Sequence, residues 1–305
     1  MSPLSRRKFL QSSTVLLSAS FATSLFDVKK TTPLLAFSTL GCPDWSFGQI
    51  VNFAAQHNYS GIELRGIKRE LDLTKCNEFN SPQNISATLK LMKEKDLKFV
   101  DLGSSAKLHF DEGLEREKNL ENAKRIIDLA QKVNCPYIRV FPDDFPKDQE
   151  KSATMELIAK GLLELGNYAK GSHVSVLMET HHDLVKSEDI QKIMKSSEHA
   201  HVGLVWDVTN MWAKTKEPPV AVYEKLKKYI RHTHIKDARI VDGKEQYTLM
   251  GKGEVPIFAA IDALSKGGYK GYYSFEWEKL WHPEIEDPEI AFADYSKVMR
   301  RHFNK

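Results

Sequence analysis

From residue 34 onward, short apolar, β-branched runs alternate eight times with helical patterns. Such an alternation is typical of βαβ units that build a parallel sheet. Eight units over roughly 270 residues favour a closed (β/α)₈ TIM barrel, which usually takes about 250 residues as one domain, over an open doubly wound sheet. The predicted strands cover residues 35–40, 61–65, 98–103, 137–141, 174–180, 202–208, 230–236 and 272–277.

The helical patterns between these runs are of the outer-helix type. In the clearest pattern, residues 121–133, apolar side chains recur every three or four positions with charged residues between them. Residues 155–168 and 257–264 repeat this pattern. Because no repeat, low-complexity tract or linker interrupts the chain, we predict one barrel domain over residues 34–305, with each strand followed by a helix.

The first 26 residues differ from the rest in composition. Residues 5–10 read Ser-Arg-Arg-Lys-Phe-Leu, and an apolar stretch over 14–25 follows with no acid before Asp27. This order resembles a twin-arginine signal peptide, so we predict export of the mature protein to the periplasm or cell envelope. The stretch is shorter than the ~20 apolar residues of a membrane span, so no stable span is expected in the mature chain. A basic terminus without a targeting role is the alternative.

The charge of the chain argues against a nucleic-acid partner. The formal net charge is +3, and loss of Arg6, Arg7 and Lys8 with the leader would reduce it to 0. A basic footprint for nucleic acid is therefore absent. The three cysteines show no Cys-x-x-Cys spacing, so a thiolate metal site is not indicated. The sequence does not decide whether the protein forms a homo-oligomer.

Four successive predicted strands end in a residue that could bind a metal. These residues are Glu179, Asp207, His234 and Glu276. The carboxyl ends of barrel strands meet at one face, where converging carboxylates would repel one another unless a cation neutralises them. A single acid at a strand end is more often a helix cap or ion-pair partner, but four in succession predict one divalent ion. Three oxygen donors and one nitrogen donor suit Mn²⁺, with Mg²⁺, Co²⁺ or Zn²⁺ as alternatives.

Six segments in this order carry a family resemblance. They are Gly-Ile-Glu-Leu-Arg at 61–65, Met-Glu-Thr-His at 178–181, Trp-Asp-Val-Thr-Asn at 206–210, His-Thr-His-Ile-Lys-Asp at 232–237, Gly-Lys-Gly-Glu-Val at 251–255 and Ser-Phe-Glu-Trp-Glu at 274–278. Over residues 34–303 the chain resembles the sugar phosphate isomerase/epimerase family, also described as xylose isomerase-like or AP-endonuclease-2-like TIM barrels. The resemblance implies that the four strand-end residues bind the metal. It also implies that Glu179 and Glu276 act as the catalytic acid and base on opposite sides of a substrate carbon.

Five further residues are candidates for substrate binding. His181 matches a family histidine near the substrate, and Trp281 lies in a segment that resembles a family loop over the site. Asn210 stands where many epimerases have a histidine, and it cannot exchange a proton near neutral pH. Lys236 could stabilise an oxyanion or pair with Glu63, and Glu63 is expected at the mouth of the barrel. For each of these residues a purely structural role is the alternative.

The resulting hypothesis is a metal-dependent isomerase or epimerase that abstracts a proton next to the carbonyl of a sugar or keto-polyol. The alternative is a lyase of the inosose dehydratase kind, which begins with the same abstraction and then expels a hydroxyl. An AP-endonuclease-like hydrolase and a non-catalytic sugar-binding barrel are less favoured. Export makes an unphosphorylated sugar or polyol the expected small-molecule substrate.

Overall fold

Eight parallel strands close into a barrel in the computed structural model, which describes residues 32–304. The predicted leader, residues 1–26, lies outside the described residues. The barrel strands are β1 Leu35–Ser38, β2 Gly61–Leu64, β3 Lys98–Lys107, β4 Tyr137–Phe141, β5 Ser175–Glu179, β6 Val202–Asp207, β7 Ile230–Ile235 and β10 Tyr273–Phe275. They neighbour one another in chain order, and β10 pairs with β1 to close the barrel. The (β/α)₈ prediction is confirmed.

Helices connect the strands on the outside. They are α1 Phe47–Gln56, α2 Pro82–Glu94, α3 Leu114–Lys132, α4 Lys151–Tyr168, α5 Ser187–Ser196, α6 Val208–Thr215, α7 Pro219–Leu226, α8 Ile257–Lys266 and α9 Pro288–Phe303. The α3 helix begins seven residues before its predicted start. Its first turn carries Glu115 and Glu117, which suit the positive end of a helix dipole. The buried apolar stripe begins only at Leu120, so the apolar pattern alone misses that turn.

The connection from β7 to α8 contains two strands that were not predicted. After β7 the chain forms an antiparallel hairpin of β8 Asp237–Val241 and β9 Lys244–Thr248. Its turn residues Asp242 and Gly243 both have positive φ, 51° and 76°, which Asp-Gly adopts readily in a tight hairpin turn. The hairpin places the Tyr247 ring 5.5 Å from the Lys236 ammonium.

Two further structural features concern the cysteines and the helices. The three cysteines are buried and form no disulfide. Within residues 32–304, no helix has both the length and the apolar character that a membrane crossing requires.

Candidate metal centre and active site

The four strand-end residues lie together at the carboxyl face of the barrel. Glu179 and Asp207 end β5 and β6, His234 lies in β7, and Glu276 follows β10 directly. One ligand atom from each residue lies within 4.8 Å of the other three, and all four side chains are buried. The parallel register, which pairs Asp207 with His234, aligns these strand ends.

The donor atoms fit a single divalent cation. His234 Nδ1 lies 3.2 Å from both Glu179 Oε1 and Glu276 Oε1 and 3.9 Å from Asp207 Oδ2. Two buried oxygens, Glu179 Oε2 and Asp207 Oδ2, form no hydrogen bond among the described residues, although Arg139 and Lys236 contact them as ion-pair partners. Burial raises the pKa of Asp207 to about 7, and Glu276 and Glu179 add to this against the opposing effect of Lys236. A bound cation would relieve this crowding of acids.

Glu63 lies beneath the ligand set and contacts His234 from behind. Its Oε1 is 3.1 Å from His234 Nε2, while its Oε2 lies 2.9 Å from His232 Nε2 and accepts a 2.8 Å hydrogen bond from Ser274 Oγ. Burial alone would raise the pKa of Glu63, but His234 and His232 outweigh burial and lower it. With Nε2 engaged by Glu63, the other nitrogen of His234 faces the three carboxylates, as a ligand must. Glu63 is therefore a partner of a candidate ligand, and it does not border the cavity beside the four residues.

Lys236 is a buried cation in the middle of the acids. Its Nζ lies 2.6 Å from Glu276 Oε2, 2.6 Å from Glu278 Oε1 and 2.8 Å from Asp207 Oδ2. The predicted alternative, an ion pair between Lys236 and Glu63, is wrong. Glu63 instead contacts the two histidines and Ser274. Burial acts to lower the pKa of Lys236, yet the surrounding carboxylates raise it well above its usual value, which keeps the side chain charged.

A cavity of about 290 Å³ opens beside the centre. Its lining residues are Leu40, Arg65, Lys107, Arg139, Phe141, Asp143, His181, His182, Glu276, Glu278 and Trp281. Two of the predicted substrate residues, His181 and Trp281, therefore border it. Asn210 does not: its side chain donates to the Thr180 carbonyl at 3.4 Å, and its backbone N–H donates to Asp207 Oδ1 at 2.8 Å.

Two residues of the site had little or no support from sequence reasoning. Arg139 is weak as a candidate from sequence, yet its Nε lies 3.1 Å from Glu179 Oε2 and its guanidinium lies over the Phe141 ring. Glu278 is missed altogether. Its position two residues after Glu276 is a usable signal, because alternate residues of an extended chain point to the same side.

A second group of possible ligands lies at the rim of the cavity. Asp143, His181 and His182 also bring ligand atoms within 4.8 Å of one another. Lys107 Nζ already contacts Asp143 Oδ2 at 2.7 Å, and His182 is largely exposed. This group offers a single carboxylate and is only partly buried, whereas the inner set offers three carboxylates and is fully buried, so the inner set is the stronger candidate for a divalent ion.

Comparison with known families agrees with this geometry. Residues 51–301 match the family model described as xylose isomerase-like TIM barrel. The chain belongs to this family. The chain also has homologues among curated proteins.

Inosose dehydratases are among these homologues. The enzyme from Clostridium tetani is 27% identical over 139 residues, which cover 40% of this chain and 46% of that protein. The chain thus matches less than half the length of that relative. The inosose dehydratase from Mesomycoplasma hyopneumoniae strain 7448 is 23% identical over 269 residues, which cover 77% of this chain and 82% of that protein.

Solved structures share the same fold. The 3-keto-D-glucoside 4-epimerase from E. coli superposes with a TM-score of 0.67 at 15% identity, covering 88% of this chain and 99% of that protein. A xylose isomerase-like TIM barrel protein from Mycobacterium smegmatis, solved in complex with magnesium, gives a TM-score of 0.67 at 17% identity, covering 90% and 97% of the two chains.

Proposed function

We propose that this protein is a metal-dependent enzyme that removes a proton next to the carbonyl of a keto-sugar or cyclic keto-polyol and then eliminates water. The observation that carries this proposal concerns Glu276. Of the four candidate ligands, Glu276 alone also borders the cavity. It is therefore the carboxylate that a substrate in the cavity would meet.

In this proposal one divalent ion is held by Glu179, Asp207, His234 and Glu276. Mn²⁺ is the first expectation, with Mg²⁺, Co²⁺ or Zn²⁺ as alternatives. The magnesium complex of the M. smegmatis protein supports a divalent ion in a barrel of this family. When bound, the ion supplies positive charge that stabilises substrate oxygens as the neighbouring C–H bond loses its proton.

Glu276 is placed to act as the base. Burial alone would raise its pKa, but His234 and Lys236 outweigh burial and lower it well below the usual value. The side chain is therefore ionised, as a base that accepts a proton from carbon must be. The same carboxyl group can return that proton to the departing hydroxyl, which leaves as water, so elimination needs only one carboxyl group in the cavity.

Epimerisation needs a second proton carrier on the opposite face of the carbon. Glu179 is the predicted partner, but it is 1% exposed and Arg139 contacts its outer oxygen. Asn210 cannot exchange a proton and is bonded to Thr180. These contacts, together with the inosose dehydratases among the relatives, favour dehydration.

Epimerisation is the second candidate function. It is supported by the symmetric approach of Glu179 Oε1 and Glu276 Oε1 to His234 Nδ1, both at 3.2 Å, and by the shared fold with a 3-keto-D-glucoside 4-epimerase. An endonuclease-like hydrolase and a sugar-binding barrel without activity have no comparable support. We also propose that the mature protein works in the periplasm or envelope, from its leader sequence.

Product analysis separates the two reactions. The Mn²⁺-loaded protein is incubated in D₂O with a panel of inososes and keto-sugars, and the products are analysed by mass spectrometry. We expect a product one water lighter than its substrate, formed only with metal. Deuterium incorporation without mass loss would replace the lyase with the epimerase, and neither change with any substrate would contradict both.

A further inference from the structure

Arg65 is a buried cation at the cavity wall without a carboxylate partner. It follows β2 directly, is 6% exposed and borders the cavity. Its Nη2 donates to Ser105 Oγ at 3.1 Å, whereas its buried Nη1 has no hydrogen-bond partner in residues 32–304. No ion pair within 4.0 Å joins its guanidinium to an acid of the described chain. Leaving a buried charged donor unpaired is costly, so such a group is a candidate for binding a ligand.

The other cations around the cavity are already paired. Lys236 contacts three carboxylates, Arg139 contacts Glu179, and Lys107 contacts Asp143 at 2.7 Å. Arg65 therefore provides positive charge that no side chain of the described chain pairs with directly. This distinguishes it from a cation that merely offsets the acids of the metal centre.

The chain makes room for Arg65 at Gly103. A Cβ atom on residue 103 would lie 2.9 Å from Arg65 Cδ and 3.0 Å from Arg139 Nη2, so a larger residue would displace both arginines. Arg139 is held in place by a 2.9 Å hydrogen bond from Nη1 to the Ser104 carbonyl. The Arg65 backbone is anchored by a 2.9 Å hydrogen bond from its N–H to Thr39 Oγ1. The side chains of Arg65 and Arg139 thus both lie over Gly103 of β3.

Burial and the neighbouring Arg139 both disfavour the charged form of Arg65. Burial, followed by repulsion from Arg139, lowers the pKa of Arg65 to about 9. At neutral pH the side chain is still charged. An anion bound at Nη1 would offset both effects.

We propose that Arg65 binds a carboxylate group of the substrate, so that the substrate class is an acidic keto-sugar or keto-polyol, such as a keto-uronate. A planar carboxylate matches the planar guanidinium, and charge-assisted hydrogen bonds of this kind are the strong ones. The cavity of about 290 Å³ has the size expected of a small-ligand site. This inference rests on the proposed function for taking the cavity as the substrate site.

Binding of matched acid and ester probes tests the inference without requiring turnover. Glucuronate, galacturonate and quinate are each compared with their methyl esters, and glucose 6-phosphate is included as the alternative anion. Affinities for the Mn²⁺-loaded full chain are measured by calorimetry. We expect at least one acid to bind about tenfold or more tightly than its ester, the scale of a charged hydrogen bond.

Variants assign that preference to Arg65. Arg65→Met is expected to bring the acid and its ester to equal affinity while leaving the ester's affinity unchanged, and Arg65→Lys is expected to retain part of the preference. Arg69→Met is the matched control, because Arg69 is exposed and pairs with Asp44 at 2.6 Å. Thermal unfolding and Mn²⁺ stoichiometry check that each variant is folded and loaded.

Several outcomes would overturn the inference. They are equal binding of acids and esters by the wild type, no measurable binding of any acid, a preference that survives Arg65→Met, or tighter binding of the phosphate. Water loss from neutral keto-polyols combined with no acid preference would remove the role of Arg65 and keep the lyase. A preference for the acids without water loss from any substrate would remove the lyase and keep the role of Arg65.

Discussion

His234 Nε2 lies 3.1 Å from Glu63 Oε1, and this contact determines which ring nitrogen faces the three carboxylates of the candidate metal centre. Glu63 is itself held by His232 and Ser274, so the orientation of the imidazole is supported from below. Such outer partners of a ligand fix the orientation of its ring, and they also influence metal affinity.

Replacement of Glu63 by Gln should therefore weaken metal binding by about 10- to 100-fold, the usual effect of losing an outer-shell carboxylate. Titration with Mn²⁺ against a chromophoric chelator measures the change. Glu94→Gln, on the exposed face of α2, serves as the control. An unaltered affinity in the Glu63 variant would show that this carboxylate does not position His234.

Replacement of Glu276 by Gln should lower turnover by about 10²- to 10⁴-fold at saturating metal, because the amide cannot accept the proton from carbon. Steady-state rates are compared with the wild type after the metal content of both proteins is measured. Glu284→Gln is the control, since this exposed acid lies in the loop that follows Glu276. A metal-loaded Glu276 variant with undiminished activity would remove the base from the proposal.

Asp101 predicts a specific dependence of stability on pH. It is buried inside the barrel opposite Glu63, and neither of its carboxyl oxygens has a hydrogen-bond partner among the described residues. Burial, followed by the charge of Glu63, raises its pKa well above 3.8. Between 3.8 and the raised value, the folded state holds a proton that the unfolded state has lost. The free energy of unfolding therefore falls as pH rises, by about 1.4 kcal/mol per unit for one proton.

Replacing Asp101 by Asn should remove this contribution. Urea unfolding of both proteins at pH 5, 6 and 7, with saturating Mn²⁺, gives the difference in their free energies of unfolding. We expect the variant to gain stability over the wild type progressively toward pH 7. Parallel curves would mean that Asp101 is ionised in the folded protein.

The strands were predictable because each is a local apolar run, and β4 coincides with its prediction at residues 137–141. The four candidate ligands could be found for a related reason, since the barrel topology brings successive strand ends to one face. Their convergence needed no knowledge of side-chain contacts.

The environment of those residues was not predictable in the same way. Glu63 meets His234 across 171 positions of the chain, and the choice between this partner and Lys236 depends on packing inside the barrel. The proposed role of Arg65 was likewise not predictable, because it depends on the lack of a hydrogen-bond partner for Nη1 among the described residues. The β8–β9 hairpin has a local signal in Asp242-Gly243, but it is an insertion between β7 and α8 that the repeating strand-helix pattern does not require.

The export prediction can be tested on the full-length chain. Substituting both Arg6 and Arg7 by Lys should retain the protein in the cytoplasm, because the twin-arginine route reads the arginine pair. Cell fractionation followed by immunoblotting measures the distribution, and Lys8→Arg is the conservative control. Equal export of the double variant and the wild type would assign these residues no targeting role.

Anomalous X-ray scattering from crystals of the Mn²⁺-loaded protein shows whether Glu179, Asp207, His234 and Glu276 hold one divalent ion. We predict a single strong manganese peak within bonding distance of all four side chains, which disappears in Asp207→Asn or His234→Asn crystals. A strong peak at Asp143, His181 and His182 instead, or no manganese at the four residues, would contradict the account.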